Sequence, residues 1–232
     1  DPVVALNTAA GNAVNQELGN AAIFQKSKGN VTATQTGTDL SPVVTQNAAA
    51  GNTSTLTNSN LFAVQDHKGD VVANQTLDNA IDSEFLNSTA GNTIQMENAN
   101  AFIIQKNKGD VTAVQTGSNL GSSQMKNTVA GNQVSQFGGN LGAYQESKGD
   151  ITGQQTLTDS EAIFANNNVD GNVITMLDGN AHIKQKNKGN ATAVQTITEA
   201  DDTQASNTAA GNAAVVENGN ANITQVNEGD VS

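Results

Sequence analysis

The two histidines of this 232-residue chain, His67 and His182, are the side chains best suited to proton transfer or to binding a transition metal. The two histidines fall at different positions of the 40-residue spacing described below, and neither recurs at that spacing. The chain contains no cysteine. Nucleophile–base pairings, phosphate loops and recurrent carboxylate pairs are also missing from the sequence. We therefore expect no catalytic residue, no cofactor and no metal site, and we do not expect an enzyme.

Charged residues recur every 40 residues, which is the spacing of all the sets described below. The lysine set is Lys28, Lys68, Lys108, Lys148 and Lys188, and the set beside it is Asn30, Asp70, Asp110, Asp150, Asn190 and Asp230. Like charges stacked about 4.8 Å apart repel by about 1 kcal/mol in water, so we expect the neighbouring acidic set to compensate the lysines. Calcium needs about six to eight oxygen ligands, and the Gly-rich nonapeptide of calcium-binding β-rolls is missing, which disfavours a cation site.

Threonines form another recurring set, at Thr32, Thr112, Thr152 and Thr192, with a second set that begins at Thr36. A flat threonine array on a β-solenoid is the design of some ice-binding proteins. Val72 interrupts the first set, and the second set lies four residues away rather than two. Ice binding is therefore an alternative to the leading interpretation developed below.

Side-chain amides recur most regularly, and the chemistry that they offer is hydrogen bonding. Stacked Asn or Gln side chains can hydrogen-bond one another along an axis, which satisfies them even when they point inward. The recurring amides and glycines are Asn7, Asn12, Asn20, Gln25, Gly29, Gln35, Asn47, Asn52, Asn60, Gln65, Gly69, Gln75, Asn87, Asn92, Asn100, Gln105, Gly109, Gln115, Asn127, Asn132, Asn140, Gln145, Gly149, Gln155, Asn167, Asn172, Asn180, Gln185, Gly189, Gln195, Asn207, Asn212, Asn220, Gln225 and Gly229. Turn formation explains part of the Asn pattern, but it does not explain glutamines inside predicted strands.

The spacing of 40 is kept without insertion or deletion over about six units, approximately 1–40, 41–80, 81–120, 121–160, 161–200 and 201–232. In stacked rungs each residue lies about 4.8 Å above its counterpart, so one inserted residue would displace every later one. Asn, Gly and Thr are weak helix formers, whereas segments such as 31–36 alternate with period two. We predict an all-β fold, a β-solenoid with parallel in-register rungs that forms one domain over 1–232.

Within the first unit we predict four short strands, at about 13–17, 20–26, 30–36 and 41–46, with Gly-Asn or Lys-Gly-Asn/Asp corners. The fourth segment shares little with its equivalents beyond its length, so either a strand or a loop facing solvent or a neighbouring filament fits it. The sequence also leaves open whether the 40 residues form one wide rung or two coils of roughly 18 and 22 residues.

Two neighbouring columns, meaning sets of residues 40 apart, compensate each other in size. If Gln25 points inward, alternation also places positions 21 and 23 of each unit inside. The pairs are Ala21 with Ile23, Leu61 with Ala63, Ala101 with Ile103, Leu141 with Ala143, Ala181 with Ile183, and Ala221 with Ile223. Close-packed interiors need such large–small alternation, so we predict that these residues form the core.

The overall composition restricts the partners. Aromatic residues make up 3% of the chain, the net charge is -12, and all ten basic residues are lysine. The acidic balance argues against nucleic acid or an anionic membrane as a partner. No apolar run approaches the roughly 18 residues that a membrane-spanning helix needs, so we expect no membrane insertion.

Residues 20–35, in which Asn and Gln alternate every five residues around Gly29, resemble the repeat of curli subunits. Residues 7–16, which run from Asn7 through Gly11-Asn12 to Gln16, are similar to the repeat motif of the Fap fibre protein. These resemblances imply a secreted bacterial functional amyloid, a self-assembling fibre of a biofilm, matrix or cell surface.

The ends of the repeat array carry a further expectation. The first unit is regular, and the last departs mainly at Val226 and Glu228, so neither reads as a cap that would prevent head-to-tail addition. Because the chain opens at Asp1 rather than Met, we expect a mature extracellular form whose export signal has been removed. We predict a structural fibre subunit whose partner is itself, end to end and through lateral bundling; a monomeric adhesin or ice-binding module is the alternative.

Overall fold

A computed structural model describes residues 3–17, 20–40, 42–57, 60–98 and 100–232 of the chain. These residues form 18 β-strands and no helix. Each strand pairs in parallel with the strand 40 residues further along, so the chain is a β-solenoid, which confirms the predicted fold class. Within the described residues, no helix has the length and apolar character that crossing a membrane would require.

Each of the first five rungs contributes one strand to each of three sheets, and the last rung contributes two strands to sheet A, one to sheet B and an isolated bridge at Val231 beside sheet C. Sheet A contains β1 (Val3–Gln16), β4 (Val43–Thr57), β7 (Glu84–Glu97), β10 (Gln124–Phe137), β13 (Phe164–Leu177), β16 (Gln204–Ala210) and β17 (Ala213–Glu217). Sheet B contains β2 (Ala21–Ser27), β5 (Leu61–His67), β8 (Ala101–Asn107), β11 (Leu141–Ser147), β14 (Ala181–Asn187) and β18 (Ala221–Asn227). Sheet C contains β3 (Val31–Leu40), β6 (Val71–Ile81), β9 (Val111–Gly121), β12 (Ile151–Glu161) and β15 (Ala191–Asp201).

The register of all three sheets is the repeat length. In sheet A Asn47 pairs with Asn87, in sheet B Gln25 pairs with Gln65, and in sheet C Gln75 pairs with Gln115. The 40 residues therefore form one wide rung and not two shorter coils.

The prediction of four strands in each unit is wrong, because two of them are parts of one strand. β4 (Val43–Thr57) contains the fourth segment, of which residue 41 lies outside the described residues, and also the equivalent of predicted strand 13–17. The Gly51-Asn52 pair is thus a bend inside a strand and not a corner. At this bend the inward side chains change from odd numbers, such as Thr45 and Asn47, to even numbers, such as Asn52 and Ser54.

This bend exists because the long strand of sheet A packs against two sheets in turn. One apolar cluster, which includes Leu56, Ile94 and Ile103, joins the second half of sheet A to sheet B. Two further clusters join the first half of sheet A to sheet C, for example through Phe85 and Leu77. The rung therefore has two layers, and the corner between sheets B and C lies opposite the bend.

Size compensation extends to the end of sheet C. Leu77 fills the interior there, whereas a Cβ atom added to its counterpart Gly117 would lie 2.6 Å from Leu120 Cδ1 and 2.9 Å from Met125 Sδ. The predicted core columns at positions 21 and 23 are also buried, with Leu61, Ala63 and Ile103 each less than 5% exposed. The prediction that these columns form the core is confirmed for the rungs from Leu61 to Ile183, whereas Ala221 and Ile223 on the last described rung are exposed.

Candidate functional site: stacked amides and the two faces of a rung

Two columns of asparagine lie inside sheet A and connect it to the other layer. Asn47 Nδ2 donates to Asn87 Oδ1 of the next rung at 3.1 Å and to the backbone carbonyl of Asn74 in sheet C at 2.8 Å. Asn92 Nδ2 donates to Asn132 Oδ1 at 2.7 Å and to the Lys106 carbonyl in sheet B at 2.9 Å. Each buried amide thus joins neighbouring rungs and opposite layers at once.

Two columns of glutamine do the same from sheets B and C. Gln65 Nε2 donates to Gln25 Oε1 at 2.7 Å and to the Thr93 carbonyl in sheet A at 3.3 Å. Gln115 Nε2 donates to Gln75 Oε1 at 2.8 Å, and that column makes equivalent bonds to sheet A. Because the alternating strands point these side chains inward, their hydrogen bonds offset the penalty of burying polar groups.

The asparagine and glutamine columns donate in opposite directions along the solenoid. Each asparagine at positions 7 and 12 donates to the rung that follows in sequence, as Asn167 does to Asn207 at 2.8 Å. Each glutamine at positions 25 and 35 donates to the rung that precedes it, as Gln225 does to Gln185 at 2.7 Å. One face of every rung therefore presents Asn acceptors with Gln donors, and the other face presents Asn donors with Gln acceptors.

The first and last described rungs each have one of these two faces without a further described rung against it. Asn7 and Asn12 each donate to the second rung, which leaves their Oδ1 atoms directed away from it. On the last rung, Asn207 and Asn212 each donate one Nδ2 hydrogen to a backbone carbonyl, and an amide nitrogen has a second hydrogen to offer. Among the described strands β1 pairs with β4 only, so its other backbone edge has no partner strand there.

The remaining two columns lie at the corners of the rung. The column that begins at Asn20 is exposed, and its amides still bond one another, as Asn60 Nδ2 does to Asn20 Oδ1 at 3.0 Å. The column that begins at Gly29 lies at the corner between sheets B and C. A Cβ atom on Gly69 would lie 2.3 Å from the Gly29 carbonyl oxygen, so the close approach of successive rungs requires glycine there.

The ion pairs of the lysine column are made with acids at position 26 and not with the predicted compensating column two residues later. Lys108 Nζ lies 3.3 Å from Asp66, and Lys148 Nζ lies 3.5 Å from Glu146. The carboxylates at position 30 instead accept backbone N–H groups, as Asp70 Oδ1 does from Asp110 at 3.1 Å. This bond between successive rungs turns the carboxylates along the solenoid axis and away from the lysines.

Sequence reasoning missed the column at position 27, which packs under the bend of sheet A. Its side chains vary, so no recurring letter reveals it. Asn107 Nδ2 is buried there and donates to the Gly109 carbonyl at 2.7 Å. His67 occupies the same position one rung earlier and is fully buried, but neither ring nitrogen makes a hydrogen bond of good geometry.

Burial changes the titration of two groups in the interior. It lowers the pKa of His67 from its ordinary value of 6.5, and the Gly69 backbone and the carboxylates of Asp70 and Asp66 offset that shift only in part. It raises the pKa of Asp170, which takes the place of the alanine found at this position in neighbouring rungs, while a hydrogen bond from Asn168 opposes the shift. Both are single substitutions within a repeated environment and not parts of a recurrent site.

His182, the other candidate for acid–base chemistry, points outward from sheet B and is exposed. Over the described part of the chain, no group of three His, Cys, Asp or Glu side chains is arranged to hold a metal ion. The site that recurs in every unit is the set of stacked amides.

The fold and these amides define the class of protein as a tandem-repeat β-solenoid with a hydrogen-bonded polar interior. No protein-family model, curated protein or solved structure matches the chain.

Proposed function

We propose that this chain is the structural subunit of a self-assembling extracellular fibre that grows by end-to-end addition. The observation that carries the proposal is the complementarity of the two faces of a rung. Asn acceptors and Gln donors lie on one face, and Asn donors and Gln acceptors lie on the other. The last rung of one copy can therefore accept the first rung of another copy with the bonds that rungs form within the chain.

The same chemistry fixes the direction of addition. In a head-to-head contact the strands of the two copies would run antiparallel, so the amide columns would not align and the bonds formed between rungs within the chain could not be repeated. Head-to-tail addition avoids this and repeats indefinitely, because a heterologous contact without closure produces a filament. The curli-like and Fap-like sequence patterns support a secreted fibre of a biofilm or cell surface.

Electron microscopy of the negatively stained, purified chain tests the proposal. We expect unbranched filaments. Persistently monomeric particles would overturn the proposal and favour the adhesin or ice-binding alternative.

A variant of the last rung tests the mechanism. The double change Asn207→Asp and Asn212→Asp removes the amide donors from one end face, so we expect seeded filament elongation to slow by at least tenfold. The matched control is Asn222→Asp, which adds a carboxylate at an exposed position of the same rung. Equal elongation rates for the double variant and the control would show that the amides do not make the joint.

A further inference from the structure

The outward side of sheet B carries exposed aromatic rings, although the chain has few of them. Phe24, Phe62 and Phe102 are 71%, 40% and 50% exposed. Their rings contact one another along the axis, with centroids 5.7 Å and 5.8 Å apart. We name positions 22 and 24 of β2, β5, β8 and β11 the aromatic face.

The aromatic face covers four rungs and then ends. Val64, Ile104 and Tyr144 also belong to it, each of them half-buried, and Ala22 and Gly142 fill its two remaining positions. In β14 and β18 the same two positions hold His182, Lys184, Asn222 and Thr224, which are polar or charged. A contiguous apolar surface with a polar boundary is typical of an interaction site.

A row of alternating charge borders the aromatic face. Successive rungs place Lys26, Asp66, Lys106 and Glu146 at position 26, which is the next outward position along each strand. The order is positive, negative, positive, negative, so reversing the order of the rungs exchanges the signs. The row is therefore complementary to a reversed copy of itself.

We propose that the aromatic face binds the aromatic face of a second copy, with strands parallel in the two copies and the order of rungs reversed. The twofold axis lies between β5 and β8 and runs along the strands. It places Phe62 opposite Phe102 of the second copy, Val64 opposite Ile104, and Phe24 opposite Tyr144. Such an isologous contact uses the same surface on both copies.

The charged row selects this register. The twofold places Lys26 opposite Glu146 and Asp66 opposite Lys106. A shift of one rung in either direction would place like charges opposite each other. If the two copies instead had the same order of rungs, their strands would run in opposite directions. The charged row of one copy would then lie against position 22 of the other, where Phe62 and Phe102 offer no ion partner.

Ring orientation favours a protein surface over a carbohydrate as the occupant. The Phe62 and Phe102 rings are within 10° of parallel and stack on each other, so each ring covers part of one face of the other. Stacking on a sugar requires an exposed ring face, whereas an apolar protein surface can pack against ring edges.

The size of the aromatic face predicts a weak contact between isolated subunits. Four rungs by seven residues span about 20 Å by 23 Å, which is below the area of a standard stable interface. Along a filament many such contacts would act together. The pairing does not require end-to-end addition, so it stands or fails separately from filament growth.

Cross-linking tests the reversed order directly, because the chain has no cysteine of its own. Copies with Phe24→Cys are mixed with copies that carry Tyr144→Cys and treated with a short bifunctional thiol reagent. We expect at least fivefold more dimer from the mixture than from either variant alone. Cross-linking of the Phe24→Cys variant with itself, or no cross-linking at all, would overturn the proposal.

Charge reversal tests the register with a readout that fold stability cannot imitate. The readout is cross-linking between a copy that carries Val64→Cys and a copy that carries Ile104→Cys. Either Lys26→Glu or Glu146→Lys alone should lower this cross-linking by about fivefold. The two changes together should restore it, although they make the row within each chain less favourable. Failure of the double variant to recover, with its β-sheet circular dichroism intact, would contradict the register.

The apolar contact has a matched control as well. Phe102→Ser should reduce the same cross-linking, whereas Phe164→Ser should not, because Phe164 is equally exposed, at 49%, on sheet A. Equal effects of the two changes would show that the aromatic face is not the contact.

Discussion

At the scale of single residues, position 27 shows how one repeated environment treats different side chains. Asn107 and Asn187 are buried there, and each donates to the carbonyl two residues later, at 2.7 Å and 2.6 Å. His67 is buried in the same place without such a bond, and its ring packs against the Gly51 backbone. His67 therefore lacks the side-chain bond to the carbonyl two residues later that Asn107 and Asn187 make.

We predict that His67 makes stability depend on pH. Because burial lowers its folded-state pKa below the unfolded value of about 6.5, the unfolded chain binds the proton more readily. Stability should be full above pH 6.5 and should fall as the pH drops below it toward the folded-state pKa. His67→Asn should remove this dependence and add about 1 kcal/mol at neutral pH by forming the missing bond.

Chemical denaturation of the soluble chain between pH 5 and 8 measures both effects. His182→Asn is the control, because His182 points into solvent and its loss should leave stability and pH dependence unchanged. An identical pH profile for His67→Asn and the parent chain would contradict the prediction.

At the scale of elements, the bend in sheet A depends on a glycine that is covered from two sides. A Cβ atom on Gly131 would lie 2.4 Å from Ser147 Oγ, a residue of the position 27 column, and would also overlap the Gly171 carbonyl oxygen of the next rung. The backbone contact cannot relax without separating the rungs. The bend, the glycine and the column beneath it therefore form one packed unit.

We expect Gly131→Ala to destabilise the fold by about 3 kcal/mol, the upper range for overpacking a close-packed interior. Thermal unfolding followed by circular dichroism measures the change. Gly121→Ala is the control, because the nearest atom to its added Cβ, on Ile81, would be 3.6 Å away. Similar melting temperatures for the two variants would show that the bend can accommodate a side chain.

The sequence was sufficient to predict the all-β class, the register and most of the core columns, because alternation and an unbroken spacing of 40 determine them directly. It was not sufficient to predict the bend at Gly51-Asn52. A Gly-Asn pair indicates a turn equally well where the chain changes direction at a corner and where a strand only switches its inward side chains from odd to even numbers. The ion pairs of Lys108 and Lys148 also escaped prediction, because they depend on which way a neighbouring carboxylate turns.

At the scale of the whole molecule, every rung is held by contacts to the rungs before and after it, and all of these contacts share one register. Stability of such a molecule is approximately a sum over rungs and their interfaces. Length can change by whole rungs, but not by single residues.

Two deletions test this rule. Removal of residues 81–120 joins residue 80, the last of its unit, to residue 121, the first of its unit, so we expect a folded chain with one rung fewer and a lower unfolding midpoint. Removal of 81–119 should fail to yield a cooperatively folding chain, because a slip of one residue exchanges the inward and outward faces of the strand. Circular dichroism and denaturant unfolding compare the two, and equal behaviour would contradict a strict register.

The opposed directions of the amide columns have an electrostatic consequence for a long fibre. A single column of aligned amides would accumulate a dipole that grows with every rung, as peptide dipoles do in a helix. Here the two buried Asn columns point one way and the two buried Gln columns point the other. Their fields largely cancel, so the hundredth rung of such a fibre would meet the same potential as the first.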